Sequence, residues 1–295
     1  KQKWYYSEIY KSLTSDNQNH PMFDELKTIL DNVFNYKEDE YLNNVIFDDN
    51  KEYYQNLKRL HAQKLELKKL KKICTLLKPF VVEFSGTPRT GKTTTINNLY
   101  DFFKKGGFNV SIIEEFTTSK YYKEHLKKEL DKLSLEDNNL AIADLVYKQL
   151  LENLNNNEII LIDRSINDRQ IWNYRRYVKG DISEENYLNS RKKYSQLSKE
   201  LIDVLVVTYA DAIVSLKRDY NSSLALEERR FLNKNNIDEY NDSLTKLKDL
   251  FSKSVADFVL IDTSSMDMSL VSVEVAERLM NDMRKKYIKS FKNGL

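Results

Sequence analysis

An α/β fold, a parallel sheet between helices with a helical N-terminal extension, is predicted by three features of this 295-residue chain. Short apolar, β-branched runs alternate with longer stretches of helical spacing. The first of these runs leads straight into a glycine-flanked loop and then a helix. Upstream, Pro79 ends a lysine-rich helical pattern and divides the chain into an extension over 1–78 and an α/β domain over 79–295.

Each element follows from local pattern. In the extension, the polar stretch 15–20 and Pro21 read as a turn before a helix starting near Met22. Leu60, Leu67 and Cys74 recur every seven residues, as do Leu70 and Leu77, among Lys58, Arg59, Lys64, Lys68, Lys69, Lys71 and Lys72. This is an amphipathic basic helix, read as packing on its own domain with a solvated lysine face rather than as a surface for nucleic acid, lipid or a partner helix. Residues 80–84 form a strand, and Lys92–Lys105 a helix that Gly106 and Gly107 stop. Val110–Ile113 makes a second strand. A helical region over 119–155 follows, with Leu140, Leu145, Leu150, Leu151 and Leu154 on its apolar face. The run 159–162 is short and β-branched enough to be a buried strand. Further strands are expected at 212–216 and 258–261, with helices between them and one closing the chain.

Composition narrows the function classes. A hydrophobic share of 41% supports a packed core. With 47 basic and 45 acidic residues the net charge is only +2, which gives no global pull toward nucleic acid or membrane. The single cysteine, Cys74, leaves no internal disulfide framework and fits a reducing cytoplasm. No apolar run approaches the ~20 residues that span a bilayer, and Lys1-Gln2-Lys3-Trp4 is no secretory signal. The lack of an initiator Met suggests a start upstream of Lys1. His20, His61 and His125 have no metal-ligand spacing, and no Ser/His/Asp set or Cys nucleophile points to acyl transfer.

The loop over 86–93 carries the chemistry. Gly86, Thr87, Pro88, Arg89, Thr90, Gly91, Lys92 and Thr93 match Gly-x-x-x-x-Gly-Lys-Thr in full, and Thr94 continues into the helix. The glycines allow backbone angles closed to other residues, so that successive N–H groups face one anion. The helix adds the positive end of its dipole. Lys92 is placed for the β- and γ-phosphates and the Thr93 hydroxyl for Mg²⁺. This is a Walker A sequence, and it makes the predicted architecture the P-loop NTPase fold, with ATP and Mg²⁺ as expected ligands. Asp163, at the end of the 159–162 strand, is placed as the second Mg²⁺ group, directly or through water.

Beyond the loop, the chain resembles the P-loop nucleoside and nucleotide kinases over about 80–265. Deoxynucleoside kinases carry Glu-Arg-Ser, then Asp-Arg and an aromatic. Here stand Asp163-Arg164-Ser165, Asp168-Arg169 and Ile171-Trp172, the second pair one residue closer. Thymidylate kinases carry a related Asp-Arg pair. The planar fork of Arg164 suits an acceptor's phosphate or 5′-oxygen; Arg169 either assists it or pairs with Asp168. The resemblance implies an acid at the end of the second strand, where Glu114-Glu115-Phe116 stands, and Glu115 fits best as the group that orients or deprotonates an acceptor hydroxyl. It also implies an arginine lid, for which Arg218, Arg229 and Arg230 are the candidates. Trp172, Tyr174, Tyr177, Tyr121 and Tyr122 lie near these elements, and are read as core rather than as base-stacking groups.

The function expected is ATP- and Mg-dependent phosphoryl transfer to a nucleoside, nucleoside monophosphate or similar small acceptor. Two alternatives stand beside it. One is a kinase for nucleic-acid ends or another metabolite, with the basic helix as modest support. The other is an ATP-driven switch whose extension binds a partner. Nucleic acid is the less favoured partner, no membrane is expected, and homo-oligomerisation is left open.

Overall fold

A computed structural model describes residues 51–155, 157–223 and 232–293. The expected helix near Met22 and the lid arginines Arg229 and Arg230 lie outside the described residues. The chain divides into two compact units, Lys1–Arg59 and Leu60–Leu295. Residues 51–59 of the first begin helix α1 (Lys51–Ile73).

In the second unit, five parallel strands form one sheet in the order β2-β3-β1-β4-β5: β1 (Phe80–Gly86), β2 (Val110–Ile113), β3 (Ile159–Asp163), β4 (Val204–Tyr209) and β5 (Asp257–Asp262). Strand β1 lies at the centre, in register with β3 (Phe80↔Ile159) and β4 (Val82↔Val204). Buried on both faces, β1, β3 and β4 read as near-continuous apolar runs because helices cover each side. Helix α2 (Lys92–Lys105) packs on β1, β2 and β3, with the closing helix, Met268–Asn293, against it. On the other face Val81, Ile160 and Ile162 meet Ala143, Leu150, Ile166, Tyr194 and Leu201 in one buried cluster. Those partners come from the helices Leu135–Leu154, Ile166–Val178 and Glu184–Leu201.

The region expected to be helical over 119–155 is broken. A 3₁₀ turn (Phe116–Thr118), a π turn (Tyr122–Leu126) and a short helix α3 (Lys127–Leu130) precede α4 (Leu135–Leu154). Ser134 restarts the helix by accepting the Asp137 N–H. The remaining helices follow in order: α5 (Ile166–Val178), α6 (Glu184–Leu201), α7 (Ala212–Ser223), α8 (Lys234–Ser254) and α9 (Met268–Asn293).

One expected strand is corrected. Residues 212–216 are not a strand but the start of α7, where the Asp211 carboxylate accepts the Ile213 N–H. The fourth strand is Val204–Tyr209, whose run of β-branched residues pairs with β1 and β5. A five-residue apolar segment is too short for periodicity to separate the two states.

The basic helix also ends earlier than its heptads suggest. Leu60 and Leu67 are buried, but α1 stops at Ile73, and Leu77 is 92% exposed. Its lysines cap neighbouring groups: Lys71 donates to Glu158 and the Gly107 carbonyl, and Lys64 lies over the Phe102 ring. Among the described residues, no helix is long and apolar enough to cross a membrane.

Candidate active site around the phosphate loop

The central strand delivers its loop at the point where neighbours are reached in opposite directions along the sheet, the place where α/β folds bind ligands. Gly86 has φ 131°, and a Cβ there would lie 1.8 Å from the Thr208 carbonyl oxygen of β4. No side chain fits, so glycine is required. The loop is further pinned to β4: the Thr87 N–H donates to the Thr208 carbonyl, and the Thr90 hydroxyl bonds the Thr208 hydroxyl at 2.7 Å. Gly91 caps α2 in a left-handed conformation with no side-chain capping bond. The N–H groups of the first turn are thereby left for an anion.

Lys92 is buried, with Nζ donating to the Gly86 and Thr87 carbonyls at 3.1 and 2.6 Å. Burial pushes its ammonium down to about 7, with Arg164 adding repulsion, while Asp163, Asp168 and Glu115 pull the other way. Those five charged side chains therefore share one electrostatic site.

The Thr93 hydroxyl donates to Asp163 Oδ2 at 3.0 Å, and Asp163 Oδ1 is buried with no hydrogen-bond partner among the described residues. A hydroxyl beside a carboxylate with an orphaned oxygen suits a hard cation. No cluster of three or more His, Cys, Asp or Glu able to hold a metal occurs among the described residues. Mg²⁺ needs no such cluster, because it takes one or two protein oxygens and completes its shell from phosphate and water.

Arg164 stands at the β3-to-α5 turn in a left-handed conformation, φ 58°, with its N–H on the Phe84 carbonyl. Its Nη1 donates to Asp168 Oδ1 at 3.0 Å, and its Nε lies 3.7 Å from Glu115 Oε2. Burial alone would lower this guanidinium; Asp168, Tyr240, Glu115 and Asp163 outweigh it and raise it. The cation hydrogen-bonded to Asp168 is Arg164, while Arg169 adds a coulombic attraction to the same carboxyl. Glu114 is exposed, whereas Glu115 is half-buried, facing Arg164 and accepting from the Thr117 hydroxyl.

Sequence reasoning missed the depth of the Asp168 site. Besides Arg164, Asp168 accepts from the Ser85 hydroxyl (2.8 Å), the Tyr240 hydroxyl (2.6 Å) and the Trp172 indole (3.1 Å). Burial would raise this carboxyl, but Arg164 and the Tyr240 bond hold it below its ordinary value. Trp172 also packs edge-on against Tyr240 and under the Arg175 guanidinium. The other four aromatics lie elsewhere: Tyr177 and Tyr174 against Tyr187, Tyr122 against Phe116, and Tyr121 on the surface beside His125.

Glu83 was missed as well, although a lone carboxylate inside the otherwise apolar 80–84 run was a visible signal. It is fully buried, accepts four N–H bonds from Ser165, Asn167 and Asp168, and is pushed up to about 7 by burial.

Of the lid candidates, Arg218 lies on α7 with both bonds to Thr263, at 3.1 Å to Oγ1 and 2.5 Å to the carbonyl. The next residue, Asp219, reaches the phosphate loop instead, through Arg89.

The profile of a family described as an AAA domain matches residues 81–243, from the central strand to beyond the Asp168 cluster. No curated protein matches. Among solved structures, deoxyadenosine kinase from M. mycoides with bound dATP aligns at 17% identity and TM-score 0.47, over 68% of this chain and all of that one. The same enzyme with bound dCTP aligns at 16% and 0.43 over 68% and 99%. With products dCMP and a flexible dCDP bound, it aligns at 15% and 0.47 over the same shares.

Proposed function

Because the chain belongs to the AAA domain family, we propose that its phosphate loop serves ATP- and Mg-dependent phosphoryl transfer to a small acceptor, a nucleoside or nucleoside monophosphate. The observation that carries the reading is the meeting of Glu115, Arg164 and Asp168 beside Lys92. A bare ATP-driven switch needs the loop and its metal groups. It has no need of a buried arginine with one carboxylate fixed behind it and a second, half-exposed, before it.

In this mechanism the loop amides and Lys92 hold the β- and γ-phosphates, and Thr93 and Asp163 are the residues that would hold Mg²⁺, which would supply charge neutralisation there. Glu115 takes the proton from the acceptor hydroxyl as the acceptor oxygen bonds the γ-phosphorus and the bond to the ADP oxygen breaks. Arg164, already oriented by Asp168, fixes the acceptor. Arg229 and Arg230, and Arg218 if it leaves Thr263, neutralise the migrating phosphoryl group. Positioning and charge stabilisation suffice, without a covalent intermediate.

The test is incubation with Mg-ATP and a panel of nucleosides, nucleotides and 5′-hydroxyl oligonucleotides, following ADP. Acceptor-dependent ADP that disappears in Glu115→Gln supports the reading. ADP release indifferent to every acceptor, or tight ATP binding without turnover, overturns it. Phosphorylation of the oligonucleotides alone moves the acceptor to nucleic-acid ends.

A further inference from the structure

Glu83 takes no part in that chemistry, yet it accepts four hydrogen bonds, as many as Asp168 beside it. Its side chain leaves β1 on the same face as Ser85, three residues before the first loop glycine, Gly86. Oε1 accepts the backbone N–H groups of Ser165, Asn167 and Asp168 at 3.0, 2.9 and 3.1 Å. These are donors at the start of α5 that have no partner within the helix. Oε2 accepts from Asn167 Nδ2 at 2.8 Å. Asn167 is fixed in turn: its Oδ1 accepts from Gln170 and Ser198. All four side chains are buried.

The donors that Glu83 holds belong to the turn that presents Arg164 and Asp168. Arg164 sits there at φ 58°, which costs a non-glycine residue energy and persists only where the surroundings impose it. Ser165, the N-cap of α5, makes no side-chain capping bond of its own. The cap is supplied from across the sheet, by Glu83.

We infer that Glu83 is a positioning residue that locks the acceptor-side turn, Arg164 to Asp168, to the strand that opens the phosphate loop. The inference rests on the reading of Arg164 and Asp168 as acceptor groups. Through this lock, the distance between the donor phosphate and the acceptor is set inside β1 and not by loop closure.

The hydrogen-bond pattern supplies the test. In Glu83→Gln an amide donor faces the Asn167 amide donor, and in Asn167→Asp two carboxylates face each other. In the double variant Glu83→Gln/Asn167→Asp the donor and acceptor are exchanged, and the pair keeps one buried carboxyl. Each single variant of the full chain is expected to raise the acceptor KM about tenfold, while the ATP KM changes less than about threefold. The double variant is expected to return to within about threefold of wild type. A mere loss of folded protein would lower kcat and leave both KM values alone. Single variants that kinetically match wild type, or a double variant no better than either single, overturn the inference.

Amide exchange at residues 165, 167 and 168 is followed in the same four proteins. Slow exchange in wild type and double variant, with fast exchange in the singles, supports the lock even if no acceptor is turned over, the result that would remove the kinase reading alone. Equal exchange in all four overturns the lock whatever the kinetics.

Discussion

Arg89 of the phosphate loop, at φ 60°, donates through Nε to Asp219 Oδ1 at 2.6 Å, tying the loop to the last turns of α7. The aspartate side chain is 2% exposed and the arginine 39%, so the pair is half solvent-screened. Asp219→Asn should therefore cost about 1 kcal/mol at the loop and raise the ATP KM severalfold. Arg89→Ala should do the same, and the double variant should lose less than the sum of the two singles. Additive losses in a double-mutant cycle would show that the two residues act separately.

Lys92→Ala should reduce ATP affinity by at least two orders of magnitude, since Nζ is the one buried ammonium described beside the loop carbonyls. Calorimetric titration is the measurement. Unchanged affinity would sink the phosphate-loop assignment.

Glu115→Gln keeps the size of the side chain and the contact with Thr117 but removes the base. A fall in kcat of about 10² to 10⁴ is expected, with the ATP KM little changed. A kcat within a few-fold of wild type would move the base elsewhere.

Gly86→Ala places a methyl group 1.8 Å from the backbone oxygen of Thr208, an atom that cannot rotate away. Losses of about 2–4 kcal/mol in stability and of nucleotide binding are expected. Denaturant unfolding would read the first, and wild-type stability would contradict the packing described.

Glu83 gives a dependence on pH. Its folded-state value is raised, from 4.5 to about 7, so the folded protein holds this proton more tightly than the unfolded chain. The associated stability is fully present below about pH 4.5 and is lost as pH rises through about 7, a change of roughly 3 kcal/mol. Unfolding of wild type and Glu83→Gln across this window should show the wild type losing ground by that order. The amide mismatch in the variant is independent of pH and does not affect the slope. A constant difference between the two proteins would be the contrary result.

Much of this was legible in the sequence because it is local. The loop, α2 and β3 each follow from a contiguous pattern, and Thr93 and Asp163 meet because β1 and β3 are neighbours in register at Phe84↔Asp163. The misread strand at 212–216 shows the limit of a short apolar run, which gains its identity from what it packs against. The Asp168 cluster was illegible for a different reason. Ser85, Trp172 and Tyr240 come from β1, α5 and α8, and the rotation of α8 about its axis is set by packing of Tyr240, Leu244, Leu247 and Phe251 in the core. Asp168 could be picked out as a charge; its partners could not.

The position of β1 in the sheet has a consequence for how the chain is made. Both its neighbours come later in sequence, β3 from residue 159 and β4 from residue 204. As the chain leaves the ribosome, the segment bearing Gly86 waits for more than a hundred residues before Thr208 arrives to hold the loop. Such non-local pairing is slow, and a chain broken off before β4 retains the whole Walker A sequence without the strand that shapes it. A loop shaped to hold a nucleotide is thus complete only after β4 has been made, and a bound nucleotide would stabilise only chains that have passed that point.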